Sequence, residues 1–278
     1  RSADPTPASA SEGTPEPGRH RRCDVVTVVQ GDGNEALARQ RGARGIVPGG
    51  QTVNPSTEEI LDAIDACAAD EVVVLPNNPN VLLAARSAAA LAQRPVVVVE
   101  TRAMTAGLVA LDAYSAQHSA EDNAAAMRAA IAATATAEIT RASRDAKVEG
   151  VAVVAGTWMG LVDNRLVATS PRLSEVAARV AATMITPERQ ALLVLRGDDS
   201  TPRDSVDAAV GAISAAYPSL EIDQHAGGQA HYPLLLAAHP KGRRLDGATT
   251  GIVFDSTADI TADHVLRPSW RMVPLTVR

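Results

Sequence analysis

Aromatic side chains are scarce in this sequence: one Phe, two Trp and three Tyr among 278 residues. A core made from that supply must rest on Ala, Val, Leu and Ile, and the exposed rings on which single-stranded nucleic acid stacks are not to hand. Basic charge is also in deficit, with 26 Lys and Arg against 32 Asp and Glu and a net charge of −6. That balance argues against a surface that binds a phosphate backbone. No apolar run approaches the 18 or so residues of a membrane-spanning helix. Cysteine is limited to Cys23 and Cys67, too few for a disulfide framework and without zinc-ligand spacing. Residues 1–22 lack the apolar segment of a secretory signal, so a reducing, cytoplasmic setting is expected. The first residue is Arg rather than Met, as in a chain cut from a longer one or processed.

Catalytic signatures are missing as well. There is no Gly-rich phosphate loop with Lys, no GxGxxG, no GxSxG and no HExxH. Gly31-Asp32-Gly33 makes a two-glycine turn without the third glycine of a dinucleotide loop. The acidic residues are scattered along predicted helix faces and the six histidines are dispersed. No catalytic residue and no metal ligand is assigned.

What is present is a regular alternation. Residues 1–22, rich in Pro, Ser and Gly, read as a disordered linker. Apolar runs suited to buried parallel strands follow at Val25–Val29, Ile46–Val47, Val72–Leu75 and Val96–Val99. Helical patterns separate them at Asn34–Ala43, Thr57–Ala68 and Asn80–Gln93, the second opened by a capping box of Ser56 and Glu59. This spacing predicts βαβ crossovers and a doubly wound parallel sheet.

The second half changes rhythm. A helix is expected at Ala120–Ala133, strands at Glu138–Arg141 and Val151–Ala155, and a hairpin of Trp158–Val162 and Arg165–Thr169 turning at Asp163-Asn164. Helix Ser174–Met184, strand Leu192–Leu195, helix Ser205–Tyr217, strand Glu221–Gln224 and the apolar stretch Tyr232–Ala238 follow. The fold class expected is α/β with two lobes, a parallel doubly wound first lobe and a second lobe with a mixed sheet. Lys241–Gly247 is basic and polar and reads as a second linker, with residues 249–278 as the opening of a further α/β unit.

Three polar segments each follow a predicted strand of the first lobe. Gln51, Thr52, Asn54, Ser56 and Thr57 follow the second strand, Asn77, Asn78 and Asn80 the third, and Thr101 the fourth. The carboxyl ends of parallel strands share one edge, where open α/β sheets bind ligands. Amides, hydroxyls and helix N-terminal N–H groups there suit a carboxylate or phosphate. The same residue types also make tight βα turns and helix caps, Ser56 above all. In the second lobe His225 and Gln229 lie around Gly227-Gly228, in a segment predicted to be a loop, and are further candidates for ligand contact.

At this point the sequence resembles a known family. GGQTVNPSTEEILDAI at 49–64, VVVLPNNPNVLLAA at 72–85, Thr101 with Gly107-Leu108, Asn123, Met127 and HAGGQAHYPLL at 225–235 are similar to the C-terminal domain of the fatty acid kinase A subunit. Such proteins are also grouped as dihydroxyacetone-kinase-like, or DAK-domain, proteins. The resemblance covers about residues 24–240 and implies a fold similar to that of the DegV fatty-acid-binding family. It further implies that ATP and magnesium belong to a DhaL-type domain missing from this chain, with no cofactor held here. The implied partners are that kinase domain, a DegV-type acyl carrier and a fatty acid, with homodimerisation left open.

A shorter string, TTGIVFDSTADIT at 249–261 with VPLTV at 273–277, resembles the start of a DegV domain. It places Asp255, Ser256 and Thr257 in that family's first loop and implies a fusion of kinase-type and carrier modules. The hydroxyl pattern that DegV carriers use for the acyl carboxylate is only partly kept at Thr52–Ser56 and Asn77–Asn80. Docking or scaffolding within a fatty acid kinase is therefore the leading expectation. Acyl binding is the alternative, and a dihydroxyacetone-type kinase component the third.

Overall fold

In the computed structural model, residues 21–49, 54–241, 253–255 and 271–273 are described. Strand β1 (Cys23–Val29) leads to α1 (Asp32–Gln40), β2 (Gly45–Pro48), α2 (Thr57–Asp65), β3 (Glu71–Leu75), α3 (Leu82–Leu91) and β4 (Val96–Val98). Then come α4 (Met104–Ala110), a 3₁₀ turn (Leu111–Ala113) and α5 (Ala120–Ala133). The four strands form one all-parallel sheet in the order β2-β1-β3-β4. Each apolar run shows both its faces to protein, which is why these strands read as continuous Val-rich stretches rather than as alternation.

The second half supplies β5 (Ala135–Arg141), β6 (Ala146–Val148), β7 (Val151–Val153), β8 (Trp158–Val162), β9 (Arg165–Ser170) and α6 (Leu173–Met184). It continues with β10 (Ala191–Gly197), α7 (Arg203–Ala216), β11 (Glu221–Gln229) and β12 (Leu234–His239). Its six-stranded sheet has the order β11-β10-β12-β5-β8-β9, parallel only between β10 and β11. The expected pairing of a parallel first sheet with a mixed second one is what the molecule has. Asp163 and Asn164 turn the β8–β9 hairpin at φ 48° and 64°, left-handed angles that such two-residue turns demand and that Asn and Asp tolerate.

Alternate residues on each strand enter different cores, which stack the domain in five layers. Val26, Val28, Val72 and Val74 meet Ile60 and Ile64 of α2 and Ala85 and Ala88 of α3. On the opposite face Val25, Val29, Val73 and Leu75 join Leu37, Leu108 and Met127 of α1, α4 and α5. That same cluster takes in Leu193, Leu195, Leu235 and Ala237 of the second sheet. Their neighbours Leu192, Val194, Leu234 and Leu236 point away, onto α6 and α7. The two sheets are therefore bound through one shared layer of helices.

Several elements depart from the sequence reading. Helix α4 is buried along its length and so has no polar face to give it a readable period. Val151–Val153 does not enter the main sheet but pairs with β6 in a separate two-stranded ribbon. Arg21 and Arg22, read as linker, are tied to the domain: Arg21 to Asp24, and Arg22 through its backbone to Ala116 and Glu71. Tertiary contacts divide the chain at His239 and Pro240. In the second unit β13 (Val253–Asp255) pairs in parallel with β14 (Arg271–Val273). Asp255 is thus the last residue of a strand, whereas Ser256 and Thr257 lie outside the described residues, as does most of the 241–248 segment.

The Glu71 carboxylate at the start of β3 accepts the Ala120 N–H that opens α5, 2.5 Å away, and faces Arg22 at 3.2 Å. The bond from Ala120, more than Arg22, holds the Glu71 pKa below its ordinary value of 4.5. A carboxyl depressed on folding stabilises the native state above its unfolded pKa, and the contribution is lost as pH falls through the folded value. Glu71→Gln is expected to flatten the fall in stability below about pH 4.5, read from urea melts across the acid range.

Candidate functional site

The described parts of the polar loops meet at the carboxyl edge of the first sheet, where Gly49, Asn77, Asn78 and Arg102 line one cavity, and Asn77 and Thr101 are bonded to each other. After β3 the chain passes through Asn77 at φ 60°, a left-handed turn that Asn tolerates better than most residues. The Asn77 N–H donates to Thr101 Oγ1 at 2.7 Å. Its side-chain Nδ2 donates to Thr27 Oγ1 at 2.9 Å and to Val28 O at 2.8 Å. Asn77 and Thr101 are buried, and together they fasten the ends of β1, β3 and β4. The Asn77 amide rests on Gly107 of α4, where a Cβ would overlap its Oδ1. This is why a glycine sits within a helix. Asn77 Oδ1 itself is buried and accepts no hydrogen bond among the described residues.

Asn78, also buried, accepts the Asn80 N–H at 2.9 Å, and Asn80 is exposed. After β2, Ser56 caps α2: its Oγ accepts the Glu59 N–H at 3.1 Å, and Glu59 accepts the Ser56 N–H at 2.7 Å. Asn54 is exposed and Thr57 half-buried. Gln51 and Thr52 lie outside the described residues. Further along, Asn123 folds the 114–119 segment by bonding the Ser115 N–H and its carbonyl.

Beside these loops is a cavity lined by Val28, Gln30, Asn77, Asn78, Met104, Thr105, Tyr232 and Leu235, with Arg102 and Glu138 among its polar walls. Its volume is about 40 Å³, room for roughly three waters on the scale where one needs about 10–15 Å³. The floor is apolar, and Met104 Sδ accepts the Gln30 N–H at 3.4 Å. Arg102 is exposed and makes no ion pair or side-chain hydrogen bond among the described residues. A guanidinium free to fork onto an oxyanion stands at the edge of an apolar recess. Burial, and secondarily the charge of Glu138, pushes the Tyr232 hydroxyl up to about 12, so it stays protonated at any physiological pH.

Sequence reasoning did not make Arg102 a candidate, although it belongs to the polar segment Glu100-Thr101-Arg102 that follows the fourth predicted strand. Gln30 and Met104 flank predicted elements without a distinguishing motif. Glu138 comes from β5 of the second sheet and Tyr232 from the turn between β11 and β12, and no local pattern could have brought them to the edge of the first.

His225 and Gln229 correct an expectation. Both lie in β11, not in a loop, and neither lines the cavity. The misreading came from Gly227 and Gly228, which normally mark turns; here they accompany an irregular register between β10 and β11 at Arg196 and Gly197. Gln229 is 1% exposed. Its Nε2 donates to Leu195 O at 3.0 Å and Tyr232 O at 3.1 Å, and its Oε1 accepts Asn34 Nδ2 at 2.9 Å. Asn34 Nδ2 also donates to Gln30 O at 2.8 Å. This amide pair locks α1 of the first sheet onto β11 of the second. Gly31 and Gly33 make room for it by letting the two backbones touch, so the two-glycine turn serves packing rather than a phosphate.

His225 Nε2 lies 2.7 Å from Asp223 Oδ1, and Asp223 in turn meets Arg41 at 2.7 Å. Arg41 also bonds Asp112 and the Leu108 carbonyl, both at 3.0 Å. Burial raises the Asp112 carboxyl above its ordinary value, against the pull of Arg41. This is a charged seam that joins α1, the 3₁₀ turn and β11. No group of three or more His, Cys, Asp or Glu able to hold a metal ion is found among the described residues. No described helix is long and apolar enough to cross a membrane.

Comparison with known proteins agrees with this architecture. The FakA-like family model, which describes the C-terminal region of fatty acid kinase A subunits and their likes, matches residues 24–239. Protein YloV of Bacillus subtilis (strain 168) is 32% identical over 214 residues, 77% of this chain and 38% of that protein. The chain thus spans well under half the length of this relative. Among solved structures, a DegV family protein of Corynebacterium glutamicum superposes with a TM-score of 0.60 at 12% identity, covering 81% of this chain and 98% of that one. A DegV family protein of Eubacterium eligens loaded with heptadecanoic acid gives 0.53 at 14% identity, covering 79% and 100%. At these identities the likeness is one of fold.

Proposed function

The chain belongs to the FakA-like C-terminal family, that of fatty acid kinase A subunits, and on that footing we propose that residues 24–239 form an acyl-binding module of DegV type. The observation that carries the reading is Arg102, a guanidinium without a partner among the described residues, beside an apolar recess at the carboxyl edge of a parallel sheet. A fatty acid presents what such a place accepts: one carboxylate and an apolar chain. Arginine holds a carboxylate by paired, charge-assisted hydrogen bonds, while Val28, Met104 and Leu235 offer the first methylenes an apolar wall. The DegV protein of Eubacterium eligens, similar in fold, holds a C17 acid, which supports assigning an acyl ligand here. The recess as it stands suits the head-group end, and the chain itself requires the walls to part.

In this reading the module serves a kinase that makes acyl phosphates, with ATP and magnesium handled by a DhaL-type domain. The described residues hold no carboxylate cluster suited to a nucleotide-bound magnesium ion, so no phosphoryl-transfer step is assigned to them.

A second reading, a docking scaffold between kinase domain and acyl carrier, is favoured by a specific observation. Asn77 and Thr101, candidates for holding a carboxylate, are bonded to each other, and Asn77 also to Thr27 and Val28 of β1. A scaffold of this kind would raise the carrier's effective concentration at the kinase.

One experiment separates the two. Native mass spectrometry of the full chain mixed with a long-chain fatty acid is expected to show a one-to-one adduct. Arg102→Ala is expected to weaken binding about tenfold or more, the usual worth of a charge-assisted bond pair. If no adduct forms at saturating acid, acyl binding is overturned and the scaffold reading stands in its place.

A further inference from the structure

The recess beside Arg102 also carries a negative charge that packing does not call for. On β5, Ala137 and Ile139 turn to the core under α6. Glu138 between them therefore stands on the opposite face of the second sheet, the one turned towards the first. Register fixes its neighbours there. Glu138 lies opposite Leu235 of β12 on one side and Leu161 of β8 on the other, and Leu235 belongs to the core that the two sheets share. A half-buried carboxylate thus interrupts a row of leucines across three strands. A leucine at that place would bury more apolar surface, whereas a carboxylate costs desolvation that packing does not offset.

The cavity gives the charge a use. Glu138 and Arg102 are both among its walls, together with Tyr232 and Leu235. The charge of Glu138 is felt within it, since it adds to the burial that pushes the Tyr232 hydroxyl up to about 12. Arg102 makes no ion pair among the described residues, so two opposite charges line one recess without closing on each other. The fatty acid proposed above satisfies only half of this arrangement. Its ionised carboxylate suits Arg102, but it offers Glu138 no hydrogen to accept and is repelled by it.

On the footing of the acyl-binding reading, we propose that the preferred ligand is a fatty acid with a hydroxyl close to its carboxylate, as in a 3-hydroxy acid. Arg102 holds the carboxylate and Glu138 accepts the hydroxyl hydrogen. An ionised carboxylate has about four acceptor sites, so Glu138 can take that donor beside any partner within the protein. The volume of about 40 Å³ keeps both contacts at the head of the ligand. A hydroxyl far along the chain would lie outside the recess and gain nothing from Glu138.

Tetradecanoic acid and 3-hydroxytetradecanoic acid serve as probes in calorimetric titrations of the full chain. The hydroxy acid is expected to bind about tenfold more tightly, the usual worth of a hydrogen bond to a charged group. Glu138→Leu completes the leucine row, so it is expected to melt no lower than the parent. It should erase the preference and tighten tetradecanoic acid about threefold, because the repelling charge is gone. Glu138→Gln, which keeps the size and loses the charge, should fall between the two. Equal affinity of the parent for both acids, or a preference that survives Glu138→Leu, would overturn this inference and leave the acyl-binding reading standing. Failure of both acids to bind would overturn that reading, and this inference with it.

Discussion

Gly33→Ala is expected to destabilise the domain by about 3 kcal/mol or more, the upper range for forcing atoms into a packed interior. A Cβ at position 33 would overlap the Ala226 carbonyl oxygen. At Gly31, which is left-handed at φ 96°, one would meet Gln229 N at 2.7 Å. The obstacles are backbone atoms of β11, which cannot swing aside as a side chain can. Relief requires moving α1 off the second sheet, and with it the Leu37 and Ala38 contacts to the shared core. For a domain of this size about 3 kcal/mol lowers the melting temperature by roughly 6–12 °C, measurable by calorimetry. Gly211→Ala is the control. Its Cβ would meet nothing within 4 Å in helix α7, so stabilisation by about 0.5–1 kcal/mol is expected. A Gly33→Ala protein that melts like the parent would mean that α1 and β11 do not approach as closely as described.

Gln229→Ala is expected to cost about 3 kcal/mol, because it strips donors from two main-chain carbonyls that sit in the interior. Leu195 O and Tyr232 O lose the Nε2 that serves both, and Asn34 loses the oxygen that fixes its amide. Asn34 keeps its bond to Gln30 O, so the damage is centred on the second sheet. Asn34→Ala should be less harmful. The double variant should fall short of the sum by about 1 kcal/mol or more, the signature of two residues acting as one unit. Denaturant titration of the four proteins gives the cycle. Tyr232 also forms a wall of the recess beside Arg102, so the fatty acid binding proposed there is expected to weaken in Gln229→Ala under conditions where the protein is still folded. Strict additivity would show that the amide pair does not couple the sheets.

Much of the scaffold is legible locally. Val25–Val29 and Val72–Leu75 announce strands buried on both faces, and Ser56 with Glu59 announces the start of α2 to the residue. Asp163-Asn164 announces a tight hairpin, which the left-handed angles bear out. Where local reasoning failed, the cause is also local. Helix α4 is buried all round and holds Gly107, so neither periodicity nor propensity marks it. The His225–Gln229 strand carries two glycines, so its composition imitates a loop. Asn77 and Thr101 lie at the carboxyl edge of the first sheet, as the strand pattern implied, yet the groups they present are largely turned to each other. No motif separates an amide that holds a ligand from one that holds its own fold.

The sequence by itself determined the α/β alternation, the parallel character of the first sheet and the edge where its loops gather. Those follow from the period of apolar residues and the chemistry of turns, which act over a few neighbours. The tertiary structure alone decided that the sheets share one core, that Asn34 meets Gln229 across 195 positions, and that Glu138 and Tyr232 face Arg102's recess. Such pairings are set by how layers stack once apolar faces are buried, and chain neighbours carry no record of them.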